Sequence, residues 1–331
     1  MFALLLTATP ASAAPLTHAY VQTHLDELWA AFKLEFKPVY ASAAEERYRL
    51  SVFNESMFVA ANHQALNPLA EFGVTQFSDL TEDDFLNRRL GLKPSPALTP
   101  PGDVFNASEV ASAPSAFDWR DYGVVTAVKD QGDCGGCWSF ATTGNIESLY
   151  AIKNGNSSLT TLSEQELLDC DDYFPCMGCN GGEMSCAFLY LTSEARGAIA
   201  TEDSYPYVAG PASKTGTCKK ASSKTGATIK SSRDLPTNEG QMATWLASNG
   251  PIAIGAYAIP WKQYKSGILT SCGSGPVDHA ILVVGFGSQA GTDYWTIKNS
   301  WGPSYGEDGY IRVKRGVNLC KLASQPISAV L

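Results

Sequence analysis

All nine cysteines of this 331-residue chain lie beyond residue 133: Cys134, Cys137, Cys170, Cys176, Cys179, Cys186, Cys218, Cys272 and Cys320. Nine is odd, so at least one thiol stays unpaired within the chain. In an oxidising compartment that means four disulfides and one free thiol. The chain therefore has two unlike parts. They meet at residues 91–116, "GLKPSPALTPPGDVFNASEVASAPSA", which are rich in Pro, Ser and Ala and carry no periodicity. Such a stretch reads as an extended, exposed linker and a preferred site of proteolysis.

Ahead of the linker, residues 20–36 and 44–64 place apolar side chains at helical spacing: Leu25, Leu28, Trp29, Phe32, then Tyr48, Val52, Phe53, Phe58. Further upstream, the apolar run Phe2 to Leu6 and the small residues Ala11-Ser12-Ala13 read as a signal peptide over residues 1–13. Nothing else is long enough to span a membrane. The sequons at Asn54, Asn106 and Asn156 permit glycosylation. A net charge of −9, with no basic block, argues against nucleic acid as a partner.

After the linker the first half reads helical. A helix is expected from Cys137 to about Lys153, closed by Asn154-Gly155. Ser163-Glu164-Gln165-Glu166 is a capping-box pattern for a short helix ending near Cys170. The second half reads as strands, in "PIAIGAYAI", "HAILVVGFG", "DYWTIKNSW" and "GYIRVKRG". Helices followed by strands indicate an α+β domain of two lobes with a cleft between them.

Cys134 and Cys137 stand three apart in "QGDCGGCWSF". A zinc site would pair them with Cys176 and Cys179, but that separation is long for a ribbon, and a secreted chain would oxidise these thiols. A redox dithiol would leave the other seven cysteines unexplained. A nucleophile fits better. Cys137 at the first turn of a helix lies at the positive end of its dipole. The chain beyond residue 116 holds a single histidine, His279 in "GPVDHAILVVGFG", and so a single candidate base. Asn299, in "KNSWG", can orient the second imidazole nitrogen, and Trp301 can shield that bond from water.

With "CGGCW", the downstream His279 and the "KNSWG" stretch, the chain resembles a papain-like cysteine protease precursor of the cathepsin L-like kind, from about residue 20 to the C-terminus. The resemblance implies a helical left lobe and a β-barrel-like right lobe over residues 113–331, behind an inhibitory propeptide and linker over residues 14–112. It makes Cys137 the nucleophile, His279 the acid and base, Asn299 its orienter, and Gln131 an oxyanion donor beside the Cys137 backbone N–H. Gly136 stands where the motif carries Ser or Ala. The family pattern pairs Cys134 with Cys179, Cys170 with Cys218 and Cys272 with Cys320. That leaves Cys176 with Cys186 as an added bridge, and exchanging Cys176 with Cys179 is the competing connectivity.

In the N-terminal part Glu45, Arg49 and Phe53 match the propeptide helix pattern, while Ser56, Ala60 and Gln64 replace its Asn, Ile and Asn. Gly73, Thr75, Phe77 and Asp79 follow the second motif, with Thr for Asn. Acid is expected to loosen docking by protonating carboxylates such as Asp79, and trimming is expected near Ala111 to Ser115. The resemblance puts Met184, Gly255, Val277, Ala280 and Gln325 around the S2 pocket, which takes the second residue before the scissile bond (P2). Gly181 and Gly182 leave backbone free to pair with a substrate strand. An apolar P2 preference follows, with arginine disfavoured because Gln325 carries no charge.

The expected thiol state is a thiolate beside an imidazolium. No metal or organic cofactor is implied. Expected partners are protein and peptide substrates, the chain's own propeptide and cystatin-like inhibitors. The enzyme is expected to be a monomer in a secreted, lysosomal or acidic vacuolar setting. The rival readings are a peptide ligase or transpeptidase of the same fold, and an inactive peptide-binding homologue.

Overall fold

The computed structural model describes residues 15–94 and 113–331. The signal peptide read at residues 1–13, the sequon at Asn106 and most of the linker lie outside the described residues. Helices α1 (His18–Phe36) and α2 (Ala43–Leu66) begin where Thr17 and Ser42 each accept a backbone N–H from the first turn, at 3.1 and 3.2 Å. They cross through Trp29, Phe32 and Phe53, whose ring centroids stand 5.2–5.3 Å apart. Strand β1 (Ala70–Phe72) and helix α3 (Glu82–Arg89) follow, the latter opened by a full capping box between Thr81 and Asp84.

The motif residues of α2 each have a task here. Glu45 takes the Ala41 N–H at 2.7 Å, and Arg49 ties α2 to α3 through Asp84 at 2.7 Å and the Asp79 carbonyl at 3.1 Å. The three departures are also used. Ser56 accepts from the Lys262 ammonium at 3.0 Å and Ala60 is fully buried. Gln64 grips β1 at both ends, donating to the Ala70 carbonyl at 2.8 Å and accepting the Phe72 N–H at 3.0 Å.

Beyond the linker run β2 (Phe117–Asp118), α4 (Cys137–Asn154), α5 (Glu164–Cys170), α6 (Met184–Ser193), β3 (Ala198–Ala200), α7 (Ala209–Ala212), β4 (Thr225–Thr228), β5 (Ser231–Asp234) and α8 (Glu239–Asn249). Then come β6 (Ile252–Ala256), β7 (Tyr264–Leu269), β8 (His279–Gln289), β9 (Thr292–Lys298), β10 (Tyr310–Lys314) and β11 (Ser324–Val330). The main sheet has the order β1-β7-β10-β9-β8-β6-β11-β5, so the N-terminal part supplies its edge strand. Helix α4 ends before Gly155, as its Asn-Gly signal indicates.

At α5 the cap is only half a box. Ser163 accepts the Glu166 N–H at 3.0 Å, but the Glu166 carboxylate turns to the Ala200 N–H and the Lys220 ammonium instead of back to Ser163. A backbone donor and a cation from distant parts of the sequence outcompete the local one.

Helix α4 is buried along most of its length and carries the contacts that join the lobes. Asn145 donates to the Pro251 carbonyl at 2.8 Å and accepts the Ala329 N–H at 2.8 Å. Beside it, Lys129 pairs with Glu147 at 2.8 Å and Glu164 at 2.6 Å, so both of these buried carboxylates face a cation. The disulfides are Cys134–Cys179, Cys170–Cys218, Cys176–Cys186 and Cys272–Cys320, and Cys137 is the one free thiol.

Candidate active site

Cys137 is the first residue of α4, and His279 is the first of β8, the strand packed along that helix. His279 Nε2 lies 2.8 Å from Asn299 Oδ1, at the end of β9. The same oxygen accepts the Ser300 N–H at 2.8 Å, so it is the acceptor and Nε2 carries the proton. Nδ1 is then the basic nitrogen of the neutral ring. The Trp301 indole stacks on the imidazole at 4.7 Å between centroids, closing the His279–Asn299 bond off from water.

Gln131 is buried and clamped. It accepts from the Ser300 hydroxyl at 2.7 Å, and its Nε2 donates to the Cys134 carbonyl at 2.8 Å. A second bond from Nε2 goes to the carbonyl of Arg89, at 3.0 Å, which also takes the Trp301 indole N–H at 3.1 Å. Arg89 belongs to the N-terminal part. A peptide carbonyl from upstream of the linker therefore already occupies the donor that a reacting carbonyl would need.

The residues after it lie across the cleft as a strap. Gly91 and Leu92 donate to the Asp278 carbonyl, both at 3.0 Å. Gly182 donates to the Gly91 carbonyl and accepts the Lys93 N–H, both at 2.9 Å, in a parallel bridge opposite Leu92. A Cβ built on Gly91 would stand 2.0 Å from the Gly135 carbonyl oxygen, so glycine is required there. A Cβ on Gly255 would meet Val277 at 2.6 Å, Leu92 at 2.8 Å and Gln325 Oε1 at 3.2 Å. Leu92 thus fills the pocket read from sequence as S2. Met184 and Ala280 are buried, and Gly181 approaches the strap so closely that a Cβ would lie 2.5 Å from the Gly91 carbonyl.

Under the strap, burial works against the expected thiolate–imidazolium pair. Burial under the strap pushes the Cys137 thiol up to about 12 and the His279 imidazole down to about 4. The sulfur takes the Ala280 N–H at 3.4 Å, while His279 Nδ1 is buried with no hydrogen-bond partner. Burial thus favours the neutral form of each group, since a charge there would have no water around it.

Three participants were not singled out from sequence. Arg89 and Leu92 sit at the entrance to a stretch that reads as linker, and "RRLGL" just before the prolines was the available signal. Glu183 directly follows Gly181-Gly182, and its carboxylate accepts from Gln325 Nε2 at 2.6 Å.

The N-terminal part is held on the rest of the molecule by aromatic and backbone contacts. Phe77 and Phe85 pack edge-on to Trp301 with centroids 5.5 and 5.2 Å away. Asn67 Oδ1 accepts the Thr270 and Ser271 N–H groups at 2.8 and 2.7 Å, and Thr75 donates to the Lys262 carbonyl at 2.8 Å. Residues 113–330 match the family described as "Papain family cysteine protease", and residues 29–85 match "Cathepsin propeptide inhibitor domain".

The chain belongs to the papain family. Among its relatives, a "Cysteine proteinase" of Trypanosoma brucei brucei is 41% identical over 329 residues, covering 99% of this chain and 72% of that protein. "Cysteine proteinase B" of Leishmania mexicana is 40% identical over 323 residues, covering 96% and 72%. Among solved structures, digestive procathepsin L2 from the larval midgut of Tenebrio molitor superposes with a TM-score of 0.83 at 33% identity, covering 93% of this chain and all of that one. This papain-family chain is thus a cysteine endopeptidase zymogen, with its propeptide as inhibitor and proteins as substrates. Among the described residues no helix is long and apolar enough to cross a membrane.

Proposed function

We propose that Cys137, His279, Asn299 and Gln131 hydrolyse peptide bonds once residues up to about 112 are removed, in a secreted or lysosome-like acidic compartment, with the enzyme acting as a monomer. The observation that carries this reading is the strap: its Arg89 carbonyl rests on the Gln131 donor, and its backbone pairs with Gly182. Those are the contacts an extended substrate needs. The Cys137 thiol gives its proton to His279 and the sulfur bonds the carbonyl carbon. The oxygen gathers charge against Gln131 Nε2 and the Cys137 N–H. His279 then protonates the leaving amine, and a water deprotonated by His279 releases the acid.

A substrate residue exchanging both backbone bonds with Gly182 would send its side chain where Leu92 lies, which supports that pocket as S2. The test is an internally quenched peptide assay on the trimmed enzyme, with an epoxysuccinyl inhibitor titrating one site per chain at Cys137. Ligated product appearing with an added amine acceptor, in place of hydrolysis, would favour the transpeptidase reading. No label at Cys137 would favour the inactive homologue. Replacing the oxyanion donor by Gln131→Ala should cut kcat by about 10²–10³ with a smaller change in KM, read from steady-state kinetics.

For the acid response of the zymogen, the direction of the burial shifts favours a group other than Asp79. Burial raises the Asp79 carboxyl, which accepts the Tyr40 hydroxyl at 2.8 Å. A raised carboxyl is stabilised by protonation, which argues against Asp79 as the group through which acid loosens docking. His63 has the opposite sign. Burial lowers its imidazole in the space between α2 and the Cys272–Ser274 loop. Its stabilising share is present above the free value of about 6.5 and is lost as pH falls toward the depressed one. Replacing it by His63→Leu should slow self-processing at pH 5, by up to about tenfold per unit of depression, as followed on gels over time.

A further inference from the structure

We propose that Glu183 gives the S2 pocket an acidic wall, so that the enzyme accepts a basic P2 side chain, arginine or lysine, alongside apolar ones. The inference rests on the reading of the Leu92 pocket as S2. Glu183 is 4% exposed and is the residue on which α6 opens, so its backbone is fixed at the pocket's edge. The added disulfide braces it there. Glu183 donates its N–H to Cys176 Sγ at 3.3 Å, and its carbonyl oxygen lies 3.1 Å from Cys186 Sγ.

The second observation is the orientation of Gln325. Its Nε2 donates to Glu183 Oε1 at 2.6 Å, and a carboxylate only accepts, so the amide cannot be reversed. Its Oε1 is consequently turned to the Gly255 side of the pocket, where it is buried and has no hydrogen-bond partner. Gln325 also adopts a left-handed backbone, φ 53°, in the irregular stretch where β11 pairs with β6 between Ser324 and Ile327. A non-glycine residue held in that region carries local strain and tends to mark a functional site.

An unpaired acceptor beside a carboxylate asks for donors. Leu92 offers none, and it leaves the Gln325 oxygen unmet. A guanidinium or ammonium entering past the missing Gly255 side chain would donate to Gln325 Oε1 and lie next to the Glu183 charge. Gln325 by itself is neutral, which is why the sequence pointed to poor use of arginine. The charge comes from its neighbour in space, 142 positions upstream of it.

The experiment uses trimmed enzyme and peptides that differ only at P2, read as kcat/KM. Wild type should cleave the P2-Arg peptide at least about tenfold faster than its neutral isostere with citrulline, and within about tenfold of P2-Leu. In Glu183→Gln the Arg:Leu ratio should fall by roughly 10- to 100-fold, because the opposite charge beside the guanidinium is lost in a poorly solvated pocket. Equal rates for arginine and citrulline in wild type would overturn the proposal without any variant, and so would an Arg:Leu ratio unmoved by Glu183→Gln. Failure to cleave P2-Leu or to take the epoxysuccinyl label would instead overturn the assignment of the site.

Discussion

Iodoacetamide at pH 7 should alkylate Cys137 in the trimmed enzyme at least about 10³-fold faster than in the full-length chain. The thiolate is the reacting species, and a free cysteine with a pKa near 8.5 has a few per cent of it at neutral pH. In the intact chain burial lifts Cys137 to about 12, leaving on the order of 10⁻⁵ as thiolate. Steric cover by Gly91 and Leu92 adds to that factor. The other eight cysteines are bonded, so the label reports on Cys137 alone when its peptide is read by mass spectrometry.

Once the strap leaves, water and the helix dipole restore the charged pair, and the proton passes from Cys137 to His279. The two residues hold one proton between them before and after, so this step is nearly silent in pH. That is why the acid response is assigned to His63. Equal alkylation rates in the two forms would remove the basis for calling the strap the inhibitory contact.

The substitution Gly91→Ala should release activity in the full-length chain. Its Cβ would fall 2.0 Å from the Gly135 oxygen and 2.5 Å from the Gly135 carbonyl carbon. These are backbone atoms and cannot swing aside. Gly135 is itself held in place, since its N–H donates to the Cys179 carbonyl at 3.0 Å. The strap must lift, losing the Gly91–Asp278 and Gly182–Gly91 bonds and drawing Leu92 out of its pocket. Two backbone bonds at about 1 kcal/mol each and a buried leucine at about 2 kcal/mol come to roughly 4 kcal/mol, near 10³-fold in inhibition.

Initial hydrolysis rates at pH 7, taken before any trimming shows on a gel, should rise from about 1% or less of the trimmed enzyme's to a large fraction of it. The matched control is Gly73→Ala, where the new Cβ meets only the Lys265 side chain at 3.3 Å and little should change. Inhibition that survives Gly91→Ala would place the block elsewhere, in the docking of α2 and α3.

The sequence by itself determined the division into a cysteine-free helical part and a disulfide-bonded one, and it singled out one thiol, one histidine and Asn299. It could do so because these are matters of counting and of local pattern: an odd cysteine, a lone imidazole, an Asn-Gly stop after α4. Strands with strong β patterns, β6, β8, β9 and β10, were legible for the same reason. Strands β7 and β11 were not. β7 is "YKSGIL" and β11 carries Pro326, and each is held by partners far along the chain, Glu71 for one and Ala253 for the other.

Only the tertiary structure decided the charge state of the site and the character of its pocket. We propose an ion pair of Cys137 and His279 for the solvated cleft of the trimmed enzyme, whereas in the intact chain the strap that runs from Arg89 folds over them and removes the water. Desolvation then outweighs the helix dipole. Likewise Gln325 is neutral in sequence and acidic by association, because α6 and β11 bring Glu183 to its amide. Solvation and pairing depend on what surrounds a group in space, and periodicity along the chain carries no record of that.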